Sequence, residues 1–212
     1  MNFRRLGILF LVSAPSGAGK STLCSALRQT PDFVYSVSCT TRAPRHNEVD
    51  GEHYHFITHE EFKRRIEADA FIEWAQVHGN YYGTPRHPLM EQLSQGVDVL
   101  LDIDTQGAGM IREKADALLR ESLVDVFIMP PSMSELRRRL HKRGTETPEQ
   151  VALRLRNAAD EMSNWKSYRY TIITGSVEED LTKFRAIMRA ERYLSSRFIV
   201  EESMEQELDF GI

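Results

Sequence analysis

The stretch GILFLVSAPSGAGKSTLCSALRQ, residues 7–29, constrains the fold more than any other part of the chain. Gly7 to Val12 is a short apolar run of the kind shown by a parallel strand buried on both faces. A loop follows, and then Leu23, Ala26 and Leu27 recur at helical spacing until Pro31 stops the helix. A strand that delivers a loop, and a helix N-terminus that completes it, are what a phosphate cradle requires. The loop Ala14, Pro15, Ser16, Gly17, Ala18, Gly19, Lys20, Ser21, Thr22 fits the P-loop pattern G-x-x-x-x-G-K-S/T, except that Ala14 stands at the first glycine. That position is at the strand end, farthest from the lysine, where a methyl costs little if φ is negative. Gly17 and Gly19 are expected at positive φ, with Lys20 reaching the terminal phosphates and Ser21 ligating Mg²⁺. A glycine-rich turn with an incidental lysine would explain the glycines, but not a Gly-Lys-Ser-Thr run on the first helical turn.

Val97 to Asp104 reads as a second buried strand, ending in Asp102 and Asp104. A carboxylate at such a strand end holds Mg²⁺ directly or through water beside a P-loop; without the loop, two acids there would be ordinary solvent-facing residues. A helical pattern from Gly109 to Glu121 leads to a third strand, Leu123 to Pro130, and Tyr170 to Thr174 makes a fourth. Alternating strands and helices imply an α/β fold with a P-loop NTPase-type parallel sheet core and helices on both faces. Its ligand crevice is expected at the C-terminal ends of the strands, with Lys20, Asp102 and Asp104 on one edge. Between the first helix and the second strand, Ser36 to Gln95 has short strands, a helix and an aromatic-rich loop of its own, and reads as an inserted subdomain.

Composition narrows the function classes. A length of 212 residues with 41% hydrophobic content suits one sizeable α/β domain, and a net charge of -4 argues against general nucleic-acid binding. Two cysteines, Cys24 and Cys39, fit a reduced cytoplasmic protein. The N-terminus imitates a secretory signal, with Arg4 and Arg5 before an apolar core, but cleavage would fall in the phosphate loop, so that reading is rejected. No other apolar run approaches the ~18 residues of a membrane span, and no membrane partner is expected. His53, His55 and His59 alternate along a strand-like segment without a matching ligand cluster and are not read as a metal site.

Ser132 to Ala158 carries two arginine-rich helices flanking GTETP. Such faces are often merely solvated; beside a P-loop, some of the arginines can instead neutralise a transferring phosphoryl group. At this point SAPSGAGKST, SVSCTTRAPR, GEHYHF, FIEWAQVHGNYYGT, LLDIDTQG and RRLHKRGTET, in that order, resemble the guanylate kinase family from the start of the chain to about residue 190.

The resemblance implies an enzyme that converts ATP and GMP, and dGMP with it, to ADP and the diphosphate in purine metabolism. It implies an ATP-binding core over 1–35, 96–133 and 158–195, an inserted α+β GMP-binding subdomain over 36–95, and a helical lid over 134–157. Residues 196–212 are expected as an acidic tail. The residues agree with that division of labour. Arg42 and Arg45 sit three apart, suited to one phosphate, and the phenols of Tyr54 and Tyr82 can donate to it. Guanine presents adjacent N1–H and N2–H donors, which Glu73 could accept together while Ser38 and Thr84 supply further polar contacts. Carried over by motif, Asp104 lies near the base or the metal-bound water and Asp102 nearer the magnesium, while Lys20, Arg139, Arg143 and Arg154 neutralise the transferring group. Each taken alone has a plainer reading: surface charge for the arginines, packing for Tyr82, simple exposure for Glu73. The family usually carries an Asn-Asp pair after the last core strand; Thr174, Gly175 and Ser176 stand here, so the adenine-side contact is left unassigned. The same fold can also serve as a binding module without catalysis, for which an intact Gly-Lys-Ser would be unnecessary.

Overall fold

In the computed structural model, which describes residues 3–77, 79–142 and 147–200, the apolar run that precedes the phosphate loop is the central strand of a parallel sheet. The chain opens with β1 (Phe3–Arg5) and β2 (Leu9–Ser13) and passes through α1 (Lys20–Arg28) to β3 (Val34–Tyr35). It then leaves the core for β4 (Cys39–Thr40), β5 (His55–Phe56), α2 (His59–Glu67), β6 (Phe71–Val77) and β7 (Asn80–Pro85). It returns through α3 (Arg86–Ser94) to β8 (Val99–Asp102), α4 (Thr105–Lys114), α5 (Ala117–Ser122) and β9 (Leu123–Met129). Then come α6 (Met133–Lys142), α7 (Pro148–Ser163), β10 (Tyr170–Ile173), α8 (Val177–Arg192) and β11 (Phe198–Val200).

The core sheet has the order β10-β9-β2-β8-β3, with every pair parallel. Residues along β2 alternate between two apolar layers because successive side chains leave opposite faces of a strand. Ile8, Phe10 and Val12 pack with Leu23, Cys24 and Leu27 of α1 and Phe184 and Met188 of α8. Leu9 and Leu11 pack with Leu89 and Leu93 of α3 and Ala108 and Ile111 of α4. This two-sided burial explains why the strand reads as an unbroken apolar run.

The segment expected as the insertion forms a second sheet, β5-β4-β7-β6, in which β4 runs antiparallel to β7 and β7 antiparallel to β6. Its small core stacks Phe62 of α2 on Phe71 at 4.4 Å and on Tyr81 at 5.2 Å. Gly83 permits that stack, since a Cβ there would meet Phe62 Cζ at 2.9 Å and Phe71 Cδ1 at 3.0 Å. A register shift between Phe71 and Glu73 splits β6 between two duties. Phe71 joins the small core, whereas Ile72 enters the main one beside α3 and α4 and ties the insertion to it.

Val34 and Tyr35, just ahead of the expected insertion, form the edge strand of the core sheet, parallel to β8. Four boundaries differ from expectation. α3 lies within 36–95, but Leu89 and Leu93 bury it in the main core. The single helical pattern from Gly109 to Glu121 is two helices, because the Asp116 carboxylate accepts from Leu119 N at 2.8 Å and starts α5 afresh. Finally, the residues from 196 do not begin a tail: β11 pairs antiparallel with β1, and Arg197 is buried against Glu191 at 2.7 Å. α7 also runs on past 157, the expected end of the lid, as one continuous helix from a Thr147–Gln150 capping box. Leu136, Leu140, Val151 and Ala158 give α6 and α7 an apolar cluster of their own. Among the described residues no helix is long and apolar enough to cross a membrane.

Candidate active site

The phosphate loop leaves β2 and enters α1 through two left-handed glycines, Gly17 at φ 88° and Gly19 at φ 110°. Gly19 caps α1 without any side-chain acceptor, leaving the first helical N–H groups for an anion. Ala14 is buried and is not among the positive-φ residues, so its methyl is tolerated as expected. Pro15 is buried, Ser16 is exposed, and the Ala18 N–H closes the loop on Pro15 O at 3.1 Å. From the first residue of α1, the Lys20 ammonium ion-pairs with Asp102 at the end of β8 and donates to Ile103 O at 3.1 Å. Parallel pairing of β2 with β8 is what brings these two strand ends together.

A cavity of about 450 Å³ opens between the strand ends and the insertion, lined among others by Lys20, Ser21, Ser38, Tyr54, Glu73, Tyr82, Asp102 and Asp104. Glu73 is 7% exposed and accepts from the Thr84 hydroxyl at 2.5 Å; Ser38 Oγ lies 3.4 Å from the same hydroxyl. Burial, and then the Asp104 charge, push the Glu73 pKa up from its ordinary 4.5. Asp104 is partly committed, since its carboxylate accepts from Gly107 N at 2.8 Å and caps α4. The Tyr54 and Tyr82 rings meet edge to face at 6.0 Å, and burial raises the Tyr54 pKa. Arg42 holds its guanidinium 5.7 Å from the Tyr54 ring centre while gripping Glu48 with two bonds of 2.9 Å. The Arg45 side chain is exposed; its backbone N–H donates to the same Glu48 at 2.8 Å. Those contacts hold the Glu48 pKa down at about 2.

A second cavity of about 460 Å³ lies on the other side of the loop, lined by Gly17, Ala18, Gly19, Thr22, Arg139, Gly175 and Asp180 among others. Arg139 of α6 crosses it, donating to Ala18 O at 2.9 Å, Thr174 Oγ1 at 3.1 Å and Glu135 at 2.8 Å. Arg154 of α7 comes within 3.4 Å of Ser16 Oγ. Arg143 lies outside the described residues. Ser38, Tyr54, Glu73, Tyr82 and Asp104 thus line one cavity, with Thr84 bonded to Glu73 and Arg42 beside Tyr54, whereas the exposed Arg45 side chain is not part of that lining; Arg139 and Arg154 reach the phosphate loop.

Sequence reasoning missed Glu48, whose spacing three after Arg45 on a short turn was an available signal. It also missed Arg28 and Tyr35 at the edge of the first cavity, where the guanidinium sits 4.2 Å over the ring. Asp180, 7% exposed and bonded to Gly175 N at 2.9 Å, gave no signal, because only the turn between β10 and α8 brings it to the second cavity.

Comparisons with known proteins agree on one family. A family model described as Guanylate kinase matches residues 7–191. The chain is 52% identical over 188 residues to the guanylate kinase of Shewanella sp. (strain MR-7), covering 88% of each chain. It is 50% identical over 190 residues to that of Maricaulis maris, covering 89% of this chain and 85% of the relative. The crystal structure of guanylate kinase from Anaplasma phagocytophilum matches with a TM-score of 0.73 at 36% identity, over 97% of both chains.

Proposed function

The chain belongs to the guanylate kinase family, and on that premise we propose that it transfers the terminal phosphoryl group of ATP to GMP, with dGMP as a second acceptor. The observation that carries this reading is that Lys20 of the phosphate loop and the buried Glu73 line the same cavity. One group suits a nucleotide phosphate and the other suits the adjacent N1–H and N2–H of guanine. Adenine offers a different donor pattern and would leave the buried carboxylate partly unpaired, which is a source of discrimination. Ser38 and Thr84 complete the polar wall around Glu73, and Asp104 stands beside them. Arg42, Arg45, Tyr54 and Tyr82 would bind the acceptor phosphate, with the ATP phosphates along Ala14 to Thr22.

Ser21 and Asp102 are hard oxygen donors lining one cavity, a pair that fits Mg²⁺ and would hold it there. Held by those two residues, Mg²⁺ would supply charge neutralisation to the nucleotide phosphates. The chain needs no general base, because the second ionisation of the acceptor phosphate lies near pH ~6 and the nucleophile is already ionised at neutral pH. What remains for the protein is in-line positioning and charge neutralisation by Lys20, Arg139, Arg143 and Arg154, with water excluded as the lid closes. A reducing cytoplasm suits the two buried thiols, Cys24 and Cys39.

The test is ADP formation from ATP and Mg²⁺ with GMP, AMP, UMP or dTMP offered separately. Turnover with GMP alone is expected. Equal turnover with AMP would remove Glu73 from base recognition, and GMP binding without turnover with any acceptor would make the chain a binding module.

A further inference from the structure

Glu48 belongs to none of the groups that touch substrate in the reading above, yet its carboxylate accepts three hydrogen bonds from Arg42 and Arg45. It sits in the turn between β4 and β5, where its Oε2 accepts from Arg42 Nη1 at 2.9 Å and from Arg45 N at 2.8 Å, and its Oε1 from Arg42 Nη2 at 2.9 Å. Arg42 Nη1 also donates to Ala43 O at 2.7 Å. A guanidinium has five N–H donors in a fixed plane. Three of them are therefore engaged by the turn itself, and the Tyr82 phenol of the cavity wall bonds the same guanidinium. The engaged edge fixes the plane of the group, and that plane stands 5.7 Å from the centre of the Tyr54 ring on the cavity wall and 6.0 Å from that of Phe56.

Charge alone would argue against such an arrangement, since a carboxylate beside Arg42 weakens its attraction for a phosphate. What the carboxylate supplies is posture. A free arginine on a turn carries rotamer freedom that a ligand would have to remove. A fork already locked by two parallel bonds carries far less.

We propose that Glu48 is a positioning residue for the acceptor phosphate, locking Arg42 and the 42–48 turn so that the guanidinium is held in one plane beside Tyr54 and Tyr82, where a phosphate would meet it. This rests on the assignment of Arg42 to the acceptor phosphate, and it adds a residue that acts only through another. Glu73 on β6, Thr84 on β7 and Ser38 just before β4 share no contact with Glu48 among the hydrogen bonds described. Base recognition therefore does not depend on it.

The experiment compares GMP and guanosine, which differ only in the phosphate. Their dissociation constants are measured by calorimetry without ATP on the full chain, for the native protein, Glu48→Gln and Glu48→Ala. Both variants are expected to bind GMP about three- to tenfold more weakly and guanosine within twofold of native, as for one side chain immobilised on binding. Unchanged or tighter GMP binding in Glu48→Gln would overturn the proposal, tighter binding meaning that Glu48 merely competes with the phosphate. Equal loss of GMP and guanosine would also overturn it, by making the role one of general folding. Should Glu48→Ala not fold, Glu48→Gln still decides, since it keeps the shape and loses only the charge-assisted fork. Native protein that binds neither GMP nor guanosine would instead defeat the functional reading itself, independently of Glu48.

Discussion

The two cavities flanking the phosphate loop are built in different ways. The acceptor side is walled by a small sheet, and its polar groups are paired with one another: Glu73 with Thr84, Thr84 with Ser38, Arg42 with Glu48. The donor side is walled by loop backbone, the start of α8 and an arginine reaching across from α6. A strand fixes side chains at alternate positions and holds them rigidly, which suits recognition of a base by its edge. Backbone N–H groups at a helix start bind any phosphate, and helices carrying arginines can swing without disturbing the sheet. On the proposed function, selectivity belongs to the sheet and chemistry to the loop and helices. Single substitutions should separate the two.

The largest separation is expected from Lys20→Ala. Removing a cation aimed at the transferring phosphates should lower kcat by a factor on the order of 10²–10³. GMP affinity measured without ATP should stay within twofold, because Glu73 and Arg42 are held by their own partners. A matching loss of GMP affinity would show that the Lys20–Asp102 pair also shapes the acceptor cavity, and the division would fail.

Gly83→Ala attacks the other side through packing. The added methyl would press on Phe62, Phe71 and Trp74 inside a small core, and overpacking of that kind costs about 1–3 kcal/mol. Thermal unfolding should fall, and GMP should bind more weakly, since Thr84 is the next residue along β7. ATP binding should be unchanged. An unaltered melting temperature would mean that α2 yields, and that the acceptor wall is softer than its stacked rings suggest.

This division also governs what the sequence disclosed. The phosphate loop was legible because its chemistry is local: Gly17, Gly19, Lys20 and Ser21 act through neighbouring backbone, and strand and helix signals bracket them. Glu73 was legible through the resemblance and the donor pattern of guanine, although its burial follows from a bulge that no periodicity announces. Four of the five core strands, β2, β8, β9 and β10, came through as apolar runs, each observed to within about two residues at either end, whereas the two-residue edge strand β3 did not. The donor cavity was not legible, because Arg139, Thr174 and Asp180 meet only after α6 and α8 have packed on opposite sides of the loop. Nor was the closing ribbon, because Phe3–Arg5 and Phe198–Val200 are three-residue strands nearly two hundred positions apart. Local propensity carries no information about such a pairing.

Glu73→Gln addresses recognition directly. Losing one or two charge-assisted bonds should weaken GMP by about 1–3 kcal/mol, and leave ATP untouched. Calorimetry with each nucleotide separately gives the comparison. Equal losses for both would place Glu73 outside the base pocket and dissolve the contrast between the two sides.

The smallest expected effect is one of pH, and its sign follows from burial. Desolvation raises the Glu73 pKa above its ordinary 4.5, so the folded protein holds the proton more readily than the unfolded chain. Any stability this group contributes is therefore fully present below its unfolded pKa and lost as pH rises through the raised folded value. Guanine recognition runs the other way, because only the carboxylate can accept from both N1–H and N2–H. As pH falls through the raised value, guanosine affinity should decline a few-fold while the Glu73 contribution to stability increases. Guanosine is the better probe, since it has no phosphate to titrate near pH ~6. Glu73→Gln should flatten both trends across the window above pH 4.5. A decline that survives in the variant would assign the titration to a group other than Glu73.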